Sequence, residues 1–207
     1  MANISIRLLE SDRAIVGKIN NALAKEIDVS FKKKVPTINE RVKRILSVAL
    51  YSSREISSLS GGTLSADFGL TFDPSTAIVE SIVSTTTVKT TTIKASAATI
   101  SGGLKITVQP IDYNNLFSLP VAEQIIKNGS IPWLKWLLTF GDTIIIANFG
   151  VEYGPWGRTG KAHMTRRSGP FKVNSAFSGN VDNNFITRAV QRYSSEIESA
   201  IIGAIKQ

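Results

Sequence analysis

Residues 132–164 read Pro-Trp-Leu-Lys-Trp-Leu-Leu-Thr-Phe-Gly-Asp-Thr-Ile-Ile-Ile-Ala-Asn-Phe-Gly-Val-Glu-Tyr-Gly-Pro-Trp-Gly-Arg-Thr-Gly-Lys-Ala-His-Met. All three tryptophans of the chain and its one histidine, His163, fall inside this stretch. Trp133, Trp136, Leu137 and Phe140 recur at three- and four-residue steps, which predicts one face of a short helix. Pro132 suits its first turn and Gly141 its end. The β-branched run from Thr143 to Val151 predicts a largely buried strand. Tyr153 to Lys161 is dense in turn formers and carries two cations, which predicts an exposed loop. An aromatic anchor thus leads through a core strand to a basic loop. After it, Met164 to Val173 predicts a second strand returning antiparallel to the first.

Working outward, residues 10–29 predict a helix with Ile15, Ile19, Ala22, Leu23 and Ile27 on one apolar stripe. Lys32, Lys33 and Lys34 before Pro36 suit either the C-terminal end of that helix, where the dipole favours cations, or contact with phosphate or an acidic partner. Thr37-Ile-Asn-Glu40 has capping-box spacing and predicts a second helix burying Ile38, Val42, Ile45, Leu46 and Ala49. Gly61 and Gly62 break the chain before an apolar cluster of Leu64, Phe68 and Leu70. Asp73-Pro74 opens a further helix carrying Ile78, Val79, Ile82 and Val83.

Residues 84–112 change character. Thr85 to Lys94 and Leu104 to Pro110 alternate with a two-residue period, predicting a long, half-exposed hairpin appendage rich in threonine. Residues 121–128 predict a short helix. Asp182, Asn183 or Asn184 caps a last helix over 184–205. The expected fold is a single α+β domain over 1–207. A small, mostly antiparallel sheet packs against long N- and C-terminal helices, and the 84–112 hairpin protrudes.

Composition narrows the function. The chain has 207 residues, 43% hydrophobic and 19% charged, the balance of a folded domain rather than a disordered one. It contains no cysteine, which excludes thiol catalysis, disulfides and cysteine-ligated zinc. No apolar run reaches the length of a membrane span. Met1 to Arg7 lacks the regions of a signal peptide, so the expectation is assembly in a cytoplasm. The formal net charge of +8 favours nucleic acid or an acidic protein surface as partner.

Catalytic schemes find little to stand on. Gly157-Arg-Thr-Gly-Lys161 resembles part of a phosphate-binding loop, but Pro155 and Ala162 occupy the wrong places and no helix is predicted to follow. There is no Gly-x-Ser-x-Gly elbow, and His163 has no second histidine at ligand spacing. Asp142 and Glu152 lie at opposite ends of the predicted strand, roughly 33 Å apart at strand rise, too far for a paired-carboxylate mechanism. No catalytic, cofactor or metal residue is assigned. The stronger signal is Arg158, Lys161, His163, Arg166, Arg167 and Lys172 interleaved with Trp156 and Phe171. Such a mixture serves a protein interface or a single-stranded nucleic acid.

Three stretches carry a family resemblance. They are Leu59-Ser-Gly-Gly-Thr-Leu-Ser-Ala-Asp-Phe-Gly-Leu70, then Trp133 to Asp142 running on to Gly154-Pro-Trp-Gly-Arg-Thr-Gly-Lys-Ala-His-Met164, and Phe177-Ser-Gly-Asn-Val-Asp-Asn-Asn-Phe-Ile-Thr-Arg-Ala-Val190. The chain resembles the head–tail joining (neck and tail-completion) proteins of tailed bacteriophages, over about half its length. The resemblance implies a non-enzymatic virion protein of the neck, without cofactor, assembled in the host cytoplasm as a homo-oligomeric ring. Its implied partners are other copies of itself, portal or adaptor proteins, tail tube or sheath proteins, and genomic DNA in the channel. The Trp156 loop and the 85–108 hairpin are the expected ring contacts, and the expected contact residues are Trp156, Arg158, Thr159, Lys161, His163, Arg166, Arg167, Phe185 and Arg188. The alternative expectation is a basic nucleic-acid-binding module.

Overall fold

The computed structural model describes residues 10–126 and 129–206 and is an α+β fold. Its longest element is α1, Asp12–Tyr51, whose 40 residues span about 60 Å at helical rise. Ser11 caps it by accepting a bond from the Ala14 amide at 3.4 Å, and Asp12 complements the dipole in the first turn. The two helices expected on either side of Pro36 are therefore one. Proline removes one intrahelical donor, but the packing downstream holds the helix together: Ile38 and Val42 are buried with Val88, Ile197 and Ala204. Lys32 to Lys34 sit in mid-helix, with Lys32 bridging to Asp28 at 2.6 Å one turn back.

Short helices α2 (Arg54–Leu59) and α3 (Thr63–Asp67) turn the chain toward α4 (Ser75–Thr85). The strands β1 (Thr87–Ala95) and β2 (Ile100–Thr107) form the expected antiparallel hairpin. It runs along α1 in the opposite direction. The Val88 amide donates to Asn39 Oδ1 at 3.2 Å, and at the far end Asn20 Nδ2 donates to the Ser96 carbonyl at 2.9 Å. Hairpin and N-terminal helix half together extend from the body as an arm. A bulge between Thr91 and Lys94 bends the hairpin opposite Gly102, whose φ of +125° places a would-be Cβ 2.6 Å from the Thr92 carbonyl oxygen.

The body is built around the opening stretch. After α5 (Asn114–Phe117) come β3 (Gln124–Ile126) and β4 (Gly129–Ile131), then α6 (Trp133–Thr139). The helix expected at 121–128 is instead a 3-10 turn, Pro120–Ala122, leading into β3. Ile125 and Ile126 are β-branched and pair across to Ser130 and Gly129 rather than coil, while residues 127 and 128 lie outside the described residues. Trp133 is fully buried, its Nε1 donating to the Val121 carbonyl at 3.0 Å. Phe68 packs on Trp133 with centroids 5.5 Å apart, and Phe171 lies 6.0 Å from Trp136.

The strand expected over Thr143–Val151 forms only in its last residues. β5 covers Gly150–Tyr153 and pairs antiparallel with β6, Ala162–Thr165. Upstream, the amides of Ile145 and Ile146 both donate to the Phe171 carbonyl, at 2.8 and 3.2 Å. The chain folds over that one oxygen instead of extending past it, and Ile144 is left 60% exposed. Ile146 and Phe171 make a single antiparallel bridge, so the return direction is as expected and the pairing is shorter.

The expected C-terminal helix is two: α7 (Phe185–Arg192) and α8 (Ser194–Ile205), which break at Tyr193. Asn184 is the cap, accepting from the Ile186 and Thr187 amides while Thr187 Oγ1 accepts from the Asn184 amide. The Tyr193 hydroxyl reaches Ser52 Oγ at 3.2 Å, and α8 then lies along the body half of α1. Among the described residues the strands form three two-stranded sheets rather than one small sheet.

Candidate interaction surface

The loop between β5 and β6 is a closed structure. The Gly154 amide donates to the Lys161 carbonyl at 2.9 Å, and the Gly160 amide to the Gly157 carbonyl at 3.3 Å. Gly157 has φ +77°, and a Cβ there would sit 2.2 Å from the Ala162 carbonyl oxygen, so no other residue fits. Trp156 folds back over Gly154 and meets His163 edge-on, with centroids 5.7 Å apart. It remains 46% exposed, a large apolar surface at the tip of a fixed loop.

The loop's two cations face the body. Arg158 Nη2 donates to the Gly69 carbonyl at 2.9 Å and Nη1 to the Ile125 carbonyl at 3.4 Å. Lys161 Nζ donates to the Gly61 carbonyl at 3.3 Å, and Thr159 Oγ1 accepts from the Lys161 amide at 3.3 Å. Both cations thereby fasten the loop to the 59–70 stretch. Between them lies an open groove of about 390 Å³ that also receives Ser60, Ser65 and Asp73. Burial pulls the Asp73 carboxyl up, but hydrogen bonds from Ser60 and Ser75 outweigh it and hold the group below its ordinary range.

The other expected contact residues separate into two groups. Arg166 stacks over the Phe149 ring at 5.4 Å, and Arg167 is exposed beside it. These two stay on the surface with Trp156. Phe185 and Arg188 do not. Phe185 is 1% exposed in the core. Arg188 donates to Glu55 at 2.8 Å and to the Asn183 side chain at 3.2 Å, tying α7 to α2. Both lie in the Phe177–Val190 stretch of the resemblance, at the start of the last helix, and a helix start buries its anchors as readily as it presents them.

His163 Nδ1 is buried without a hydrogen-bond partner, against an apolar pocket of about 300 Å³ lined by Phe68, Ile126, Ile131, Val151 and Met164. On the other flank Tyr153 donates a short hydrogen bond to Asp67. Burial raises the Asp67 carboxyl above its ordinary range although that bond opposes it. Burial and the adjacent carboxylate together raise the Tyr153 hydroxyl. Among the described residues no group of three His, Cys, Asp or Glu could hold a metal ion, and no helix is long and apolar enough to cross a membrane.

The arm adds exposed apolar surface, which includes Ile19 and Leu23 of the stripe expected on the first helix and also Val16. Val16, Ile19 and Leu23 are 41%, 52% and 48% exposed on α1. The hairpin meets a different face of the helix, where Ala24 and Asp28 line a groove with Thr90, Ile93 and Ala95. The amphipathic stripe was legible, but which side of the helix the hairpin would take was not.

No family model, curated protein or solved structure matches the chain. The three stretches singled out in the sequence nonetheless meet in space. Gly61 and Gly69 accept from Lys161 and Arg158, and the Gly141 amide donates to the Gly179 carbonyl at 2.8 Å.

Proposed function

We propose that the chain is a non-enzymatic virion protein of the phage neck, a subunit of an oligomeric ring that joins the head connector to the tail, of the tail-terminator or tail-completion type. The observation that carries this reading is apolar surface presented on fixed elements at two separate places. Trp156 sits on a loop fastened by Arg158 and Lys161, and Val16, Ile19 and Leu23 lie along a helix arm. A ring needs two unlike faces on every subunit, each fitting the other on its neighbour. Rigid aromatic anchors flanked by arginine are the side chains that dominate such contacts. Arg166, stacked on Phe149, and Arg167 add exposed cations at the other end of the same β5–β6 hairpin. The resemblance of the three stretches supports the neck assignment, and the first of them, through Gly61 and Gly69, is what the loop is fastened to.

Light scattering and negative-stain imaging of the purified protein test the reading. Closed rings of one size are expected, and Trp156→Ala is expected to shift them toward monomer while the fold is retained. A strictly monomeric wild-type protein that also fails to co-purify with head or tail particles would sink it.

A further inference from the structure

The outward face of the arm's hairpin poses an electrostatic problem. Register places Lys89 directly opposite Lys105, and Thr87 opposite Thr107. Thr91 faces Gly103 and Lys94 faces Ser101 on the same side of the ribbon. All of these residues are exposed except Gly103, which is half-buried and contributes no side chain. The opposite side carries Val88, Leu104 and Ile106 against α1. Between Glu80 and Asp112 the chain has three lysines and no acid, so no carboxylate on the ribbon itself balances them. Like charges directly across two strands destabilise the pairing. A site that keeps them is explained by a partner that neutralises them.

The composition of the face says which partner. Protein interfaces are depleted in lysine and serine and enriched in aromatic residues, methionine and arginine. This face has none of the enriched types and no apolar anchor. Phosphate backbones are met by lysine together with serine and threonine hydroxyls and backbone amides. A two-stranded ribbon is also a shape that the major groove of B-DNA admits. The face lacks the planar arginine, asparagine and glutamine groups that read bases bidentately, and lysine meets phosphate as a point charge, so phosphates are its main contacts.

We propose that the outward face of the β1–β2 ribbon, Lys89, Lys94 and Lys105 among Thr87, Thr91 and Thr107, is a sequence-indifferent binding site for the phosphate backbone of duplex DNA. It does not rest on the ring reading, because a monomer carries the same ribbon. It is also distinct from the Trp156 loop, whose Arg158 and Lys161 are engaged with backbone carbonyls.

The test is fluorescence anisotropy of the full chain on a labelled mixed-sequence duplex, titrated across salt. The variant is Lys89→Gln/Lys94→Gln/Lys105→Gln. The control, Arg54→Gln/Lys135→Gln/Lys206→Gln, removes the same charge from exposed positions elsewhere. Three lost phosphate contacts should lower the log–log salt slope by about 2.7, so that the affinity change between about 50 and about 200 mM salt shrinks roughly 40-fold. The control should move the slope little. Thermal melts by circular dichroism verify the fold, which removal of like charges is expected to preserve. The proposal is overturned if wild-type protein fails to bind duplex at the low salt, or if both triple variants lose equally. It is also overturned if polyglutamate displaces the duplex as well as unlabelled duplex does, since that outcome assigns the face to an acidic protein.

Discussion

The two halves of α1 are built from similar sequence and meet different fates. Before Pro36, Val16, Ile19 and Leu23 recur at helical spacing and remain half exposed. After it, Ile38, Val42, Leu46 and Leu50 recur at four-residue steps and are wholly buried. The difference is not in the stripe but in what arrives to cover it. The second half is enclosed by α8 and the helices of the body. The first half is met by one hairpin, and on one face only. An apolar stripe therefore states that a helix has a face to bury, and leaves open whether the same chain buries it.

That contrast can be broken most directly by truncating one leucine on each half. Leu46→Ala should cost about 2–5 kcal/mol of unfolding free energy, the range for a buried leucine leaving a cavity. Leu23→Ala should change the stability of the isolated subunit by less than about 0.5 kcal/mol, as surface changes do. Its effect should appear in self-association instead. Urea denaturation of both variants measures the difference, and equal losses would mean that the arm is as enclosed as the body.

Pro36 sharpens the same comparison, because it stands where the halves meet. Pro36→Ala restores a donor to the helix ladder and should stabilise the protein by about 1–3 kcal/mol. A rise in the urea midpoint at unchanged slope would show it. No change would mean that the packing of Ile38 and Val42 against Val88 requires the backbone that proline imposes.

Proline is also where sequence reading and structure part. Ending the first helix before Pro36 follows from the local preference of a residue that precedes proline. What overrides it is burial on the far side, which a local window does not contain. The Thr143–Val151 run fails for the mirror reason: its β propensity is real, but Ile145 and Ile146 share one carbonyl of Phe171, a long-range fact. Elements whose signal is complete within a few residues were legible. The Trp133–Thr139 helix formed where it was expected, Asn184 is the cap among the three candidates, and the alternating hairpin formed with its second strand starting earlier, at Ile100. The surface was half legible. Cations clustered at 158–172 are visible in sequence, but their direction is not, and Arg158 and Lys161 point home. The lysines of the ribbon were visible too, yet their pairing depends on register, which the bulge after Thr91 sets.

The smallest predicted effect separates what the arm does for folding from what it does for binding. Lys89→Glu converts a like-charged cross-strand pair into an opposite-charged one with Lys105. Such a change should stabilise the hairpin by roughly 0.2–1 kcal/mol, read as a small rise in melting temperature. The pair is exposed, so the gain should fade at high salt, where surface charges are screened. The same substitution places a carboxylate on the face proposed for phosphate and should weaken duplex binding more than Lys89→Gln does. Stability and binding are then expected to move in opposite directions at one residue. If the two instead fall together, the lysine pair supports the hairpin in the free protein, and the repulsion that motivates a polyanion partner is absent.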